Sequence, residues 1–167
     1  GIGVNTSKFY KASDEARIEI RKEFGLSGDD FVVAVIGELN DNKNQEAIIK
    51  AIALLKSECP NLKALFMGKG EKAEYLKNLC SELNINDRVQ ILGYRHDVNR
   101  ILSVCNLGAS ASLREGLGLN LIEEMASGLP IVASQNRGHK DIVTKDSGVL
   151  LQDNSEHAFA DAFLQLY

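Results

Sequence analysis

Two apolar runs constrain this chain more than any other feature. Phe31-Val32-Val33-Ala34-Val35-Ile36 is continuous and rich in β-branched residues, and it ends at Gly37; a second run, Leu62 to Met67, ends at Gly68. A strand without polar alternation has to be covered on both faces, which is the position of an interior strand in a parallel sheet flanked by helices. Shorter candidates follow at Val89 to Leu92, Leu107 to Ala111, Ile131 to Ala133 and Gly148 to Leu151. Between them, Glu46 to Lys56 repeats apolar pairs at three and four residue steps, the stripe of a helix lying on a sheet. Ala73 to Leu83, Val98 to Ser103, Leu119 to Ser127 and His157 to Leu166 read the same way. An opening helix over Asp14 to Phe24 stops at Gly25. Strand and helix alternate over short connections, so the expected fold is α/β: a doubly wound, mostly parallel six-stranded, Rossmann-like sheet with helices on both faces.

Length and charge exclude several functions. The 167 residues amount to one domain, with 19 basic against 23 acidic side chains and a net charge of −4. With no Trp and only 6% aromatic residues, the chain offers neither a basic stripe nor a stacking face for nucleic acid. Cys59, Cys80 and Cys105 stand far apart and read as core residues of a reducing compartment. His96, His139 and His157 lack metal-ligand spacing, so neither a metal nor a cofactor is expected. No apolar run reaches the ~18 residues of a membrane span. A cytoplasmic protein is expected. The start, Gly1-Ile2-Gly3-Val4-Asn5, lacks Met, as a piece of a longer protein would.

In such sheets ligands sit beyond the carboxyl ends of the strands. Four loops there carry chemistry: Gly37 to Asn44, Gly68 to Glu71, Gly93 to Asp97 and Ser112 to Asn120. The last is the most informative. Gly116 and Gly118 allow the backbone close to a ligand, and the helix that follows aims N–H groups and its positive dipole end at the same place, which suits a diphosphate. Glu115 lies in the turn, and Glu123, eight residues on, lies about one turn into the helix. Carboxylates accept from sugar and ribose hydroxyls, so a nucleotide-sugar explains glycines and glutamates together. On spacing alone, Glu115 as a solvated loop residue and Glu123 as an ordinary acid near a helix start is the competing reading.

Other motifs are weaker. Gly68-Lys69-Gly70-Glu71-Lys72-Ala73 satisfies GxGxxA, but it follows the second strand, and neither Asp87 nor Asp97 falls where an acidic ribose partner belongs. There is no GxxxxGK[ST], so the P-loop reading fails.

The run from Glu115 to Glu123 resembles the E-x7-E motif of retaining, GT-B-fold glycosyltransferases group 1. Gly37-Glu38-Leu39-Asn40-Asp41-Asn42-Lys43-Asn44 resembles that family's first loop, Met67-Gly68-Lys69-Gly70 its second, and Asp87 to Val98 its third. Met125 to Ala133 and Asn136 to Asp141 look like members that build bacterial surface and capsular polysaccharides. The likeness covers nearly the whole chain, in the family's order. It implies one half of a GT-B fold: residues 1–167 as the donor-binding domain, with the N-terminal acceptor domain and the final crossover helix lying outside this chain.

The same resemblance implies roles. Glu123 would bind ribose hydroxyls, and Glu115 would lie near the donor sugar and its anomeric centre. Backbone N–H groups of Gly116, Leu117, Gly118, Leu119 and Asn120 would hold sugar oxygens and the diphosphate. Lys43 would reach the diphosphate and stabilise charge on the leaving group. Tyr94 and Arg95 occupy the loop that resembles the base pocket. Glu38 stands where many members have arginine, beside the diphosphate; Arg95, Arg114 or Arg137 would then supply the missing charge. The implied donor is a nucleoside-diphosphate sugar, with UDP or GDP as the carrier, and no metal is implied. The acceptor would be a glycan or lipid-linked molecule held by the other domain, with the intact protein peripheral to the inner face of the membrane. A non-catalytic nucleotide-binding module and a nucleotide-sugar epimerase domain are the alternatives.

Overall fold

The computed structural model describes residues 10–115, 118–143 and 147–167. Six strands, β1 (Phe31–Ile36), β2 (Leu62–Met67), β3 (Val89–Gly93), β4 (Leu107–Ser110), β5 (Ile131–Ser134) and β6 (Gly148–Leu151), form one sheet in the order β3-β2-β1-β4-β5-β6. Every pairing is parallel. The order reverses direction between β1 and β4, so the loops leaving these two strands diverge and open a crevice at the carboxyl edge.

Alternation along β1 feeds two apolar layers. Val33 and Val35 pack with α2 (Gln45–Leu54), α3 (Ala73–Glu82) and α7 (Glu156–Leu166) on one face. Val32 and Ala34 face Ile101 and Leu102 of α4 (Val98–Leu102) on the other. Further along that sheet, Leu121 of α5 (Leu119–Ala126) and Val143, just after α6 (Arg137–Ile142), cover Ile131 and Ala133. All three cysteines are free and buried in these layers. Among the described residues, no helix is long and apolar enough to cross a membrane.

Element ends agree with the sequence expectation to within two residues, with one correction. The strand and helix reading leaves Asn136 to Asp141 without an element, whereas residues 137–142 form the short helix α6. The Asn136 side chain caps that helix by accepting from the His139 N–H at 2.9 Å. Six residues are too few to show an apolar period.

The opening helix, α1 (Asp14–Glu23), lies outside the sheet and is tied down by Glu23, which pairs with Arg100, and above all by a buried arginine. Arg21 is 1% exposed. Its guanidinium donates to the carbonyls of Val104 (3.1 and 2.9 Å), Ser27 (2.7 Å) and Asp30 (2.9 Å), and to Asn106 Oδ1 (2.9 Å). Asn106 Oδ1 also accepts from the Val32 N–H at 2.8 Å, which carries the clamp into β1. All these acceptors are neutral, so the buried charge is solvated by oriented dipoles rather than by a carboxylate. Replacing Arg21 with Met leaves several buried acceptors without donors, and the folded state is expected to lose about 3 kcal/mol. Urea denaturation checks this; an unchanged midpoint would contradict the clamp.

Candidate functional site

The carboxyl ends of β1 and β2 meet backbone against backbone. Gly37 N–H donates to Met67 O at 3.0 Å, Leu39 N–H to Lys69 O at 3.0 Å, and Lys72 N–H to Leu39 O at 3.0 Å. Gly68 has a φ of +150°, and a Cβ placed on it would lie 2.0 Å from Gly37 O; one on Gly70 would lie 2.3 Å from Leu39 O. Only glycine fits this contact. Above it opens a cavity of about 550 Å³, lined by Ile36, Gly37, Glu38, Met67, Gly68, Lys69, Gly70, Tyr94, Arg95, Val98 and Asn120. Asn120, in the first turn of α5, donates to Ile36 O at 3.1 Å and closes the crevice side of the cavity.

Lys43 and Glu115, 72 residues apart, form a second cluster beside the first. Lys43 Nζ lies 3.2 and 3.1 Å from the two carboxylate oxygens of Glu115, and both side chains are largely buried. The lysine methylenes run past Gly37, where an added Cβ would lie 3.3 Å away. The sequence reading sent both residues to a ligand; in this structure each is the other's partner. Asn42 ties their two loops together. Its carbonyl accepts from Leu113 N–H at 2.8 Å, its Oδ1 from Arg114 N–H at 3.1 Å, and its Nδ2 donates to Arg114 O at 2.9 Å. From the other side, Gly138 N–H at the start of α6 donates to Glu115 O at 3.0 Å.

Of the residues expected to bind a donor, Glu38, Tyr94, Arg95 and Asn120 line the cavity. Glu123 lies one helical step beyond Asn120 on the same face of α5, half-buried, and burial pushes its carboxyl above the ordinary range. Gly118 is the N-cap of α5 and carries no side chain over the first N–H groups of the helix, Leu119 and Asn120 among them. Gly116 and Leu117 lie outside the described residues.

Three arginines were expected to supply the charge of the missing one, and Arg95 is on the cavity lining. Arg95 is held by Asp97 through two contacts of 2.9 Å, Arg114 is exposed, and the side chain of Arg137 lies outside the description. Lys69 is the lysine that lines the cavity, its Nζ 6.0 Å from the centre of the exposed Tyr94 ring. Glu38 meets an amide, accepting from Asn40 Nδ2 at 3.1 Å. Lys69 and Asn42 were not singled out from the sequence. Their places beyond strand ends are visible there, but their partners belong to other loops. Among the described residues, no group of three or more His, Cys, Asp or Glu side chains is placed to hold a metal ion.

Glu124, next to Glu123, points into the protein. It is 1% exposed, neither carboxyl oxygen has a hydrogen-bond partner among the described residues, and a Cβ on Gly108 of β4 would lie 2.3 Å from Oε2. Burial, with the charge of Glu123 second, raises its pKa well above the ordinary value.

The family model for glycosyl transferases group 1 matches residues 16–167. EpsD of Bacillus subtilis (strain 168), a protein named as a glycosyltransferase, is 36% identical over 168 residues, covering 100% of this chain and 44% of its own length. The UDP-Gal:alpha-D-GlcNAc-diphosphoundecaprenol alpha-1,3-galactosyltransferase of Escherichia coli is 28% identical, covering 98% of this chain and 43% of that protein. The chain thus spans less than half the length of these curated relatives. Among solved structures, Anabaena HepE in complex with UDP-glucose superposes with a TM-score of 0.86 at 27% identity, over 98% of this chain and 45% of HepE.

Glu124 makes the stability of the site helix depend on pH. Between the ordinary carboxyl range and its own raised value, the folded state holds a proton that the unfolded state has released, so stability falls as pH rises through that window. Glu124→Met removes the cost, and the variant is expected to be more stable than the parent by about 1–3 kcal/mol near pH 8. The gain shrinks toward pH 5. Thermal melts at both values test this, at about 2–4 °C per kcal/mol; a gain independent of pH would show that the carboxyl is ionised in the fold.

Proposed function

The chain belongs to the glycosyl transferases group 1, and on that premise we propose that it is the donor-binding half of a retaining, metal-independent enzyme. The whole enzyme transfers a sugar from a nucleoside-diphosphate sugar to a glycan or lipid-linked acceptor in bacterial polysaccharide biosynthesis. It works in the cytoplasm or at the inner face of the membrane, with the acceptor held by an N-terminal domain.

One observation carries this reading. The cavity beyond β1 and β2 is bordered by lysine chemistry on two sides, with Lys69 on its wall and Lys43 running past Gly37 to Glu115, and the open N-terminus of α5 stands beside it. An elongated ligand with a dianionic middle and hydroxyl-rich ends matches that layout. The base end lies toward Tyr94 and Arg95, the ribose toward Glu123, and the diphosphate toward the amides of Gly118, Leu119 and Asn120. Gly116 and Leu117 complete that turn in sequence. Complexes of HepE with UDP, and with UDP and glucose, support UDP as the carrier.

Chemically, the bond from the anomeric carbon to the diphosphate oxygen breaks and the electron pair leaves with the phosphate, while the acceptor hydroxyl oxygen bonds to that carbon and gives up its proton to the departing diphosphate. Lys43 and the α5 terminus lower the energy of the departing charge because they are positioned before it develops. Lys43 begins in contact with Glu115, so donor binding exchanges one anionic partner for another. That exchange frees the Glu115 carboxylate to accept from sugar hydroxyls as the diphosphate takes the ammonium. Glu38, on the cavity lining, already has a hydrogen-bond donor in Asn40.

Calorimetric titration of the chain with UDP, GDP, ADP and TDP, with and without magnesium, tests the reading. Saturable binding of one diphosphate is expected, unaffected by magnesium. Lys43→Ala should lose about tenfold in affinity for the diphosphate, equivalent to one charge-assisted hydrogen bond, and little for the matching nucleoside. Glu123→Ala should lose discrimination between ribose and deoxyribose forms. Because Glu123 accepts as a carboxylate, affinity should also fall as pH drops through its raised range. Equal losses for nucleoside and diphosphate in Lys43→Ala would count against the phosphate role.

A further inference from the structure

Beneath Glu115 lies a buried polar cluster that the donor site itself does not use. His139 is wholly buried where β4, β5 and α6 converge. Its Nδ1 is 2.6 Å from the carbonyl oxygen of Ser134. Asn136 Nδ2 lies farther from Nδ1, at 3.0 Å, and directs an N–H to the Ser112 carbonyl; a carbonyl only accepts, so the shorter contact assigns the proton to Nδ1, and in the neutral ring Nε2 is an acceptor. Ser110 Oγ, 3.1 Å from Nε2, then donates to it, and its remaining lone pairs accept from Ser112 Oγ at 3.3 Å. The Ser112 carbonyl in turn receives Ser134 Oγ at 2.7 Å and Asn136 Nδ2 at 2.9 Å. The ring therefore imposes a direction on the hydroxyls behind the loop. Each oxygen has its donors assigned once the imidazole is set.

We propose that His139 is a positioning residue for Glu115, setting the backbone from Ser112 to Glu115 through Ser110, Ser134 and Asn136. The proposal rests on the donor-site reading of Glu115. Two links connect the cluster to that residue. Ser112 stands three residues before Glu115, with both acceptor positions of its carbonyl filled by the cluster. The backbone N–H of His139 is bonded to Asn136 Oδ1 at 2.9 Å, which fixes the start of α6. Gly138, the residue before it, donates to Glu115 O at 3.0 Å, so close that a Cβ there would lie 2.6 Å from that oxygen. The loop is thus held at both ends by groups of the His139 cluster or next to it in the chain.

Among the described residues, the charged groups acting on the ring are Glu115 and Lys43, whose opposite charges sit together and largely offset; burial lowers the pKa of the ring. Protonation would place a second N–H against Ser110 Oγ, which would have to turn round and release Ser112 Oγ. An apolar residue of similar size would fill the space but leave the Ser134 carbonyl without the ring N–H and the Ser110 hydroxyl without the acceptor of its proton.

The test uses the isotope-labelled chain and three variants: His139→Ala, His139→Asn, whose amide can still donate to Ser134 O, and Ser110→Ala, which removes only the donor to Nε2. Amide exchange is read at Leu113 and Gly138, the donors to Asn42 O and Glu115 O, with Val33 and Ala64 in the sheet as references. His139→Ala and Ser110→Ala are expected to speed exchange at Leu113 and Gly138 about tenfold, the effect of one hydrogen bond, with the references unchanged and His139→Asn restoring much of the protection. Unchanged loop amides, or equal acceleration across the sheet, would overturn the proposal. In parallel, titration with UDP and with UDP-glucose should place the loss in His139→Ala on the sugar-bearing ligand; equal loss on both also overturns it. If the parent chain binds neither ligand, that counts against the donor-site reading, and the exchange experiment still decides the role of His139.

Discussion

The candidate site depends on a contact that has no side chains in it. Gly68 lies against the Gly37 carbonyl and Gly70 against Leu39, at distances where any Cβ would collide. This lets the loops after β1 and β2 share hydrogen bonds as if the sheet continued past its own edge. The cavity floor is therefore backbone, rigid in the way a sheet is rigid, and the chemistry-bearing side chains of the two loops are turned to its rim. A larger residue at either glycine would force these loops apart and remove the floor.

A second constraint acts across the crevice. Asn42, Lys43 and Gly138 hold Glu115 and its neighbours from two sides, so a residue that belongs to the loop after β4 is placed by elements that come before and after it in the chain. An ion pair largely shielded from water gains more from its charges than a surface pair does, but it also has to offset the loss of hydration. Here the surrounding hydrogen bonds fix the geometry, and Lys43 Nζ reaches both oxygens of Glu115.

How much of this was legible in the sequence follows from the range of each interaction. The six strands were readable because apolar runs such as Phe31 to Ile36 can only be buried on both faces, and the longer helices because their stripes repeat. α6 was not, since its only local signal is the capping Asn136. In the site, the order of the loops and the E-x7-E spacing marked Glu115, Glu123 and Lys43, and the structure places Tyr94, Arg95, Glu38 and Asn120 on the cavity. The pairing of Lys43 with Glu115, the retirement of Arg95 onto Asp97 and the appearance of Lys69 on the wall all depend on which loop meets which. The contrast between Glu123 and its buried neighbour Glu124 is a matter of helical phase: Leu121 and Glu124, three residues apart, share the inner face.

The Arg21 clamp also orders events in time. Its donors sit on the first helix of the described chain, while two of its acceptors, Val104 O and Asn106 Oδ1, lie 83 and 85 residues further on, beside the start of β4. Chain entropy opposes such distant contacts until the intervening β1 to β3 units have condensed. α1, the first helix of the described residues, is then among the last to be locked. A contact made after the folding barrier acts mainly on the rate of opening. Arg21 in this sense is less a part of the sheet's assembly than the latch that governs how long the assembled domain stays shut.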